Sequence, residues 1–179
     1  MPVSRTVLLL VDFINPLRFP GADELAPAAL EAARTAASLK AKLAKEQVQT
    51  VYANDNYGRW SSDFSSIWKS CRALGGPSGQ MARQLKPTKK DCALLKPRHS
   101  AFYATPLDLL LRQLRCRRLI LAGIAADNCV LFTAMDAYLR GYSLWVPADC
   151  VAAETDDAKI QALAQMRQTL KARVAPSLQ

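Results

Sequence analysis

Three reactive side chains each follow a short apolar segment of the chain. Asp12 ends "TVLLLVD", Lys96 ends "DCALLK", and Cys129 stands six residues after Gly123, which closes "RRLILAG". Short apolar runs of this kind are typical of buried parallel strands, whose carboxyl ends meet at one edge of a sheet. Singly, the three residues could be a loop cap, a surface cation and a small buried hydrophobe. Together they predict a reactive cluster.

The chemistry open to this cluster is covalent acyl transfer through a thiol. The start of a helix predicted over "DNCVLFTAMDAYLR" would lower the pKa of Cys129 and favour the nucleophilic thiolate. Asp12 can accept the thiol proton and return it to a leaving amine, while Lys96 keeps Asp12 ionised or stabilises the thiolate. Amide N–H groups at the start of the helix can bind an oxyanion. The chain has a single histidine, His99, which excludes a His-rich zinc site.

The elements that would position the cluster alternate between strand and helix. Strands are predicted at "RTVLLLVDF", "VQTVYAN", "DCALLKP", "RRLILAG" and "YSLWVPAD", with "RVAPS" as a short final strand. Helices are predicted between them, at "DELAPAALEAARTAASLKAKLAKEQ", "TPLDLLLRQLR", "DNCVLFTAMDAYLR" and "TDDAKIQALAQMRQTLKA". This alternation predicts one domain over residues 1–179, a three-layer α/β/α Rossmann-like domain with a mostly parallel sheet.

One connection is much longer than the others. Residues 55–90 are rich in glycine and leave room for at most one short helix, around "GQMARQLK". Because connections of this length are uncommon in compact domains, we predict that residues 55–90 form a lid or pocket-forming region. The segment "GGPSG" lacks the Lys-Ser/Thr pair of a phosphate-binding loop and is predicted to be a turn.

Composition narrows the classes of partner. The formal net charge is +9, but the basic residues are scattered over "KAKLAK", "KPTKK" and "RCRR" without interleaved aromatic residues. We therefore favour a solvated basic surface over nucleic-acid binding. The apolar runs are too short to cross a membrane, and the N-terminus has no signal-peptide pattern. Five cysteines without a CxxC pair then predict reduced thiols in the cytoplasm.

Three motifs of the chain resemble those of the isochorismatase-like cysteine hydrolases: "LLLVDF", "LLKPRHSAFYATPL" and "GIAADNCVLFTAMDAY". The resemblance extends over nearly the whole chain and implies a six-stranded parallel sheet and a homo-oligomer, a dimer or larger. It implies a catalytic triad of Asp12, Lys96 and Cys129. It also implies a cis peptide bond between Ile124 and Ala125, and an oxyanion hole formed by the amides of Ala125 and Cys129.

Two departures from the family pattern affect the expected chemistry. Threonine is common where this chain has Ala126, so one loop hydroxyl is lost. Nicotinamidases of the family bind a metal through an Asp-x-His pair, but here Asp55 is followed by Tyr57 in place of the histidine. We therefore expect no metal, no cofactor and no nicotinamidase activity. Isochorismatases proper hydrolyse a vinyl ether without a cysteine nucleophile, so Cys129 favours an amide-type substrate.

The side chains near the predicted site have two interpretations each. Phe13, Trp60 and Phe102 would form an aromatic pocket for a small planar substrate, or they would pack in the core. Asn54 and Asp55 would orient a polar substrate group, or they would stabilise turns. A substrate carboxylate could be bound by nearby basic residues, namely Arg59, Arg98 and His99. His99 could equally form a structural hydrogen bond in its loop.

The predicted function is cofactor-free hydrolysis of a small amide or related acyl compound through an Asp–Lys–Cys triad and a covalent acyl-enzyme. One alternative is a vinyl-ether hydrolase led by Asp12, with Cys129 as a bystander. Another alternative is a non-catalytic binding protein with the same fold. The predicted partner is a small-molecule substrate, with no nucleic acid and no membrane.

Overall fold

Parallel strands form one sheet, with the most apolar strand at its centre. The structure, a computed structural model, describes residues 3–177. The strands within this range are β1 (Thr6–Val11), β2 (Gln49–Asp55), β3 (Cys92–Lys96), β4 (Arg118–Ile124), β5 (Ser143–Trp145) and β6 (Val151–Ala152). Their order is β3-β2-β1-β4-β5, and β6 also pairs with β4. The strands before β4 are added on one side of β1, and the later strands are added on the other side. The strand order thus reverses at β1, and ligands bind at such a reversal point in sheets of this kind.

Helices cover both faces of the sheet. They are α1 (Ala22–Lys45), α2 (Phe64–Ala73), α3 (Gly76–Gln84), α4 (Leu107–Gln113), α5 (Leu131–Leu139) and α6 (Asp156–Gln168). Successive residues of β1 point to opposite faces, so Leu8 and Leu10 pack with α1 while Val7 and Leu9 pack beneath α4, α5 and α6. The predicted three-layer α/β/α fold with a six-stranded, mostly parallel sheet is confirmed.

None of the helices between residues 3 and 177 combines the length and the apolar character needed to cross a membrane. The longest of them, α1, instead buries a row of small side chains, mainly alanines, against the sheet. Small residues let a helix approach the sheet closely, and alanine also has the highest helix propensity. The predicted helix over this segment is thus accounted for by local preference and packing together.

The segment of residues 55–90 is more regular than the sequence predicted. It contains two helices, α2 and α3, where we expected at most one. The side chain of Asp63 caps α2 by accepting a hydrogen bond from Ser66 N at 3.0 Å, and Pro77 stands in the first turn of α3. The segment "GGPSG" is therefore the beginning of a helix and not an isolated turn. The ring of Phe64 packs 5.1 Å from that of Tyr52, which anchors α2 on the sheet.

The sixth strand also differs from the sequence prediction. We expected it at "RVAPS", but the structure forms it from Val151 and Ala152, which pair with the end of β4. The segment "RVAPS" contributes only an isolated bridge between Arg173 and Trp145. Pro176 removes a backbone donor soon after that bridge, so the pairing cannot extend.

Gly123 permits the close approach of β1 and β4 next to the reactive cluster. A Cβ atom at this position would lie 2.2 Å from the carbonyl oxygen of Val11, far inside contact distance. The two strand ends that lead to Asp12 and to the Cys129 segment are therefore held together by a contact that only glycine allows.

Candidate active site

The structure brings together the three side chains that the sequence analysis selected. Asp12 follows β1, Lys96 ends β3, and Cys129 lies in a π-helical turn (Ala126–Val130) that precedes α5. Lys96 Nζ lies 2.7 Å from Asp12 Oδ2 and 3.5 Å from Cys129 Sγ. The ammonium group therefore contacts both the carboxylate and the thiol, and the side chains of Asp12 and Cys129 also contact each other.

Asp12 is fixed by backbone contacts on its other side. Asp55 N donates a hydrogen bond to Asp12 Oδ1 at 2.7 Å, and Asp12 N donates to Ala53 O at 3.1 Å. One carboxylate oxygen thus faces β2 and the other faces Lys96. Asp12 adopts a left-handed conformation with φ 53°, which is uncommon for a residue other than glycine. This conformation turns its side chain out of β1 toward the cluster.

Lys96 is fully buried, and its three N–H bonds each have an acceptor. Besides Asp12 and Cys129, Nζ donates to Arg98 O at 3.1 Å. An ammonium group offers three donors and no acceptor, so this arrangement satisfies it completely. Burying a charge without such partners is strongly unfavourable, and the carboxylate of Asp12 provides the necessary counter-charge.

Burial controls the proton affinities of the cluster. It raises the pKa of Cys129 to about 12, with a further contribution from the charge of Asp12, and the opposing charge of Lys96 does not compensate. Burial also raises the pKa of Asp12, although Lys96 acts against it. Burial by itself would lower the pKa of Lys96, but the negative charges of Asp12 and Cys129 outweigh this effect, so the pKa of Lys96 is raised.

These directions correct one expectation from the sequence. The start of a helix was expected to lower the pKa of Cys129, but desolvation and the neighbouring carboxylate outweigh that effect. Cys129 also lies within the π-helical turn and not at its first residue. At neutral pH the thiol therefore keeps its proton until an acceptor takes it, and Asp12 is the adjacent carboxylate.

His99 is a fourth titratable side chain beside the thiol. Its Nδ1 lies 3.8 Å from Cys129 Sγ, and its ring packs 5.4 Å from the ring of Phe132. The loop that carries it is anchored two residues later, where Ala101 N donates to Thr133 Oγ1 at 3.0 Å. The sequence suggested a carboxylate ligand or a structural hydrogen bond for His99. As the single histidine of the sequence, it is also the only one available for a Cys–His pair.

A cavity of about 800 Å³ opens above the cluster. Its inner end is formed by Asp12, Cys129, Asn128 and the Ile124–Ala125 segment. The peptide bond between Ile124 and Ala125 is cis. The outer walls come from the segment between β1 and α1 and from α2. A cavity of this size accommodates a small organic molecule.

Of the five predicted pocket residues, only Asp55 lines this cavity. Phe13 is buried in the core on the α1 side of the sheet, and Phe102 is buried on the other side, beneath the guanidinium of Arg140. Asn54 is also buried, and its Nδ2 donates to Ile14 O at 2.6 Å. Trp60 points outward, with 82% of its surface exposed. The structure therefore does not place these four side chains on the cavity wall.

One face of α2 lines the cavity and was not predicted from the sequence. Ser66, Ile67, Ser70, Cys71 and Leu74 line the cavity and recur at intervals of three and four residues. This spacing is the pattern of one helix face and was readable in the sequence. One of these side chains is the thiol of Cys71. It is buried on the last turn of α2, and burial raises its pKa.

The segment that binds a metal in nicotinamidases has a different role in this chain. Asp55 Oδ1 accepts a hydrogen bond from Tyr57 N at 2.6 Å, and the Tyr57 hydroxyl donates to Ile14 O at 3.0 Å. Both side chains thus stabilise the backbone just beyond the ends of β1 and β2. Across residues 3–177, no three His, Cys, Asp or Glu side chains are grouped as metal ligands. The residues present do not fit a metal site of the Asp-x-His kind.

Ala126, which replaces the more common threonine, is fully buried in the apolar core beneath α5 and α6. A hydroxyl at this position would need a hydrogen-bond partner within that core. Alanine avoids this requirement, so the loss of the hydroxyl is compatible with the surrounding packing.

Comparison with known proteins identifies the family. Residues 6–176 match the family model described as Isochorismatase domain. The isochorismatase family protein YaaI of Bacillus subtilis is 38% identical over 174 residues, which cover 97% of this chain and 95% of that protein. The chain belongs to the isochorismatase family, as its three motifs predicted.

Two solved structures have the same fold. N-carbamoylsarcosine amidase from Thermoplasma acidophilum has a TM-score of 0.76 and 27% identity, and the match covers 98% of this chain and 98% of that one. The nicotinamidase SaPncA from Staphylococcus aureus has a TM-score of 0.75 and 25% identity, covering 97% and 98% of the two chains. The prediction that the chain is a hydrolase of this family is confirmed.

Proposed function

We propose that this protein is a cysteine amidohydrolase that cleaves a small carboxamide through a covalent acyl-enzyme. The observation that carries the proposal is the contact of the Lys96 ammonium with both the carboxylate of Asp12 and the thiol of Cys129, beside a cavity that Asp12 and Cys129 line. This arrangement unites a nucleophile, a proton acceptor and a fixed positive charge. The named activities of the two solved relatives, both acting on amides, support the choice of a C–N bond.

In the proposed reaction Asp12 first takes the proton of the Cys129 thiol. The sulfur attacks the carbonyl carbon of the substrate, and the carbonyl oxygen becomes an oxyanion that accepts hydrogen bonds from the amides of Ala125 and Cys129. Asp12 then gives its proton to the leaving nitrogen, and the C–N bond breaks to leave a thioester. Water then attacks the thioester carbonyl and gives a proton to Asp12. The C–S bond breaks, the carboxylic acid product leaves, and Asp12 returns the proton to the thiolate of Cys129.

The raised pKa values suit this sequence of proton transfers. A buried carboxylate whose pKa is raised accepts a proton more readily than an exposed one, and it later acts as an acid toward the leaving nitrogen. Lys96 keeps its proton throughout, because the charges beside it raise its pKa. In this proposal the segment of residues 55–90 belongs to the hydrolase domain and forms the substrate pocket.

The proposal is tested with a panel of small carboxamides and ureido compounds, measured by ammonia release. We expect at least one substrate to be hydrolysed without added metal and in the presence of a chelator. Intact-mass spectrometry of the enzyme quenched in acid during turnover should show an adduct of the acyl mass. Digestion of the quenched enzyme should locate this adduct on the peptide that contains Cys129. Hydrolysis that proceeds only when metal is added, with no adduct, would contradict the proposed route.

His99 is expected to assist the thiol without being essential. Its ring nitrogen, 3.8 Å from the sulfur, can donate a hydrogen bond to the developing thiolate. We expect His99→Phe, which keeps a ring against Phe132 but has no donor, to lower kcat by about tenfold while KM changes little. His99→Gln, which keeps a donor, is the matched variant and should retain more of the native kcat. If both variants have the native kcat, His99 only packs in its loop.

We further propose that the protein is a homo-oligomer in the cytoplasm, where its five cysteines remain free thiols. Large apolar side chains exposed along α5 support this assembly, namely Phe132, Tyr138 and Leu139. Sedimentation velocity should give at least twice the mass of one chain, and Leu139→Lys should reduce it. A native protein that sediments as a single chain at micromolar concentration would contradict the assembly.

A further inference from the structure

A second cleft, of about 660 Å³, lies at the opposite edge of the sheet from the reactive cluster. It is formed by residues that precede β1, β4 and β5, whereas Asp12 and Lys96 lie at strand carboxyl ends. Its basic residues come from four separate segments of the chain: Arg5, Arg112, the pair Arg115 and Arg117, and Arg140. We call this group the arginine cleft.

The arginine cleft has a large excess of positive charge. Within residues 3–177, Asp108 is the only carboxylate that lines it, and this group pairs with Arg112 at 2.8 Å. Arg140 pairs with Asp136 on its own helix at 2.7 Å. Among the residues that the structure describes, no carboxylate lies within ion-pair distance of the other three arginines, which are Arg5, Arg115 and Arg117. All three arginines are exposed to solvent.

Short backbone contacts hold these arginines next to one another. Arg117 N and Arg118 N both donate to Arg5 O, at 2.8 Å and 3.0 Å, which ties the start of β1 to the start of β4. Arg115 follows the end of α4 in a left-handed conformation with φ 55°, a position where glycine or asparagine is usual. Collecting like charges in one concavity is unfavourable by itself, and a bound anion would relieve the repulsion.

We propose that the arginine cleft binds a small polyanion with two or more phosphate groups, either as inorganic polyphosphate or as the phosphate chain of a nucleotide. The cationic side chains that line it among the described residues are all guanidiniums, with no lysine, and guanidiniums bind phosphate oxygens in a bidentate manner. Its volume is within the range of small-molecule sites. It is a confined concavity and not a long basic stripe with aromatic residues, which favours a small ligand over a nucleic acid.

A second copy of the chain does not fit this surface. Two identical arginine clefts facing each other across a twofold axis would place like charges together, which is unfavourable for association. The proposal is also independent of the amidohydrolase chemistry, because no residue of the cleft lines the cavity above Cys129.

The test is isothermal titration of the full chain with tripolyphosphate, ATP, citrate and a single-stranded RNA oligomer, at low and at moderate salt. We expect one tripolyphosphate per chain with a dissociation constant in the micromolar range, and weaker binding of citrate. The double variant Arg115→Asn with Arg117→Gln should bind at least about tenfold more weakly. Asparagine is chosen at position 115 because it tolerates the left-handed conformation.

The matched control is Arg34→Gln with Arg167→Gln, which removes the same net charge from exposed positions on α1 and α6. We expect this control to bind tripolyphosphate as the native protein does. Equal weakening in both double variants would mean a general charge effect and would overturn the proposed site. Absence of saturable binding, or tighter binding of RNA than of polyphosphate, would overturn it as well.

The comparison of ATP with tripolyphosphate distinguishes the two sources of the phosphate groups. If the two ligands bind equally, the phosphates alone are recognised. Tighter binding of ATP indicates a nucleotide.

Discussion

Replacing Cys129 with alanine is expected to abolish amide hydrolysis, lowering kcat/KM by about four orders of magnitude or more. The sulfur is the only nucleophile in the proposed reaction, and Asp12 and Lys96 act through it. Its removal leaves a cavity that still binds the substrate but cannot form the thioester. The measurement is ammonia release under saturating and subsaturating substrate, combined with intact-mass analysis for the acyl adduct.

The control for this variant is Cys92→Ala, which removes a half-buried thiol at the start of β3 and should retain native activity. The result also separates the three functions considered from the sequence. If Cys129→Ala remains active while Asp12→Asn is inactive, the reaction is led by Asp12, as in a vinyl-ether hydrolase. If the native protein binds amides but hydrolyses none of them, the binding-protein alternative is favoured.

Replacing Lys96 with methionine is expected to destabilise the protein as well as inactivate it. The change leaves the carboxylate of Asp12 buried, with 5% of its side chain exposed and no counter-charge. Removing one partner of a buried ion pair costs about 3–5 kcal/mol. We therefore expect the free energy of unfolding, measured by urea denaturation at pH 7, to fall by about this amount.

The double variant Asp12→Asn with Lys96→Met distinguishes stability from catalysis. It removes both charges, so we expect it to recover most of the lost stability and none of the activity. A single Lys96→Met variant as stable as the native protein would show that the pair is solvated and would contradict the burial seen here.

The stability loss of Lys96→Met should depend on pH in a defined direction. Burial already raises the pKa of Asp12 above its value in the unfolded chain, and loss of Lys96 raises it further. A group with a raised pKa in the folded state favours folding at low pH and opposes it once pH exceeds that pKa. The deficit should therefore be largest at neutral pH and shrink as the pH falls.

Local sequence patterns were enough to predict the order of the main elements. The apolar run of β1 and the alanine-rich pattern of α1 each contain their own signal, because strand and helix periodicities extend over only a few residues. Within residues 55–90, α2 was missed, whereas α3 overlaps the one short helix predicted around "GQMARQLK". The helix α2 is short, and its cavity-facing positions include serines, so its helical face becomes evident only when it packs against Tyr52 and the cavity.

The sequence by itself determined which three side chains are candidates for the chemistry and in which order they occur, since each follows a recognisable strand. The tertiary structure decided which neighbours they have. Asn54 and Asp55 were indistinguishable as pocket candidates, yet adjacent strand residues point to opposite faces, and only Asp55 lines the cavity.

The tertiary structure also decided the charge state of the site and the location of the arginine cleft. The pKa of Cys129 rises because several packed elements exclude water from the thiol, which outweighs the local effect of a helix start. The sequence motif "RCRR" indicated only a scattered basic surface, whereas folding adds Arg5 and Arg140 to it from distant segments. Desolvation and charge clustering depend on distances between segments that are remote in the chain, and these distances are fixed only when the sheet and its helices pack.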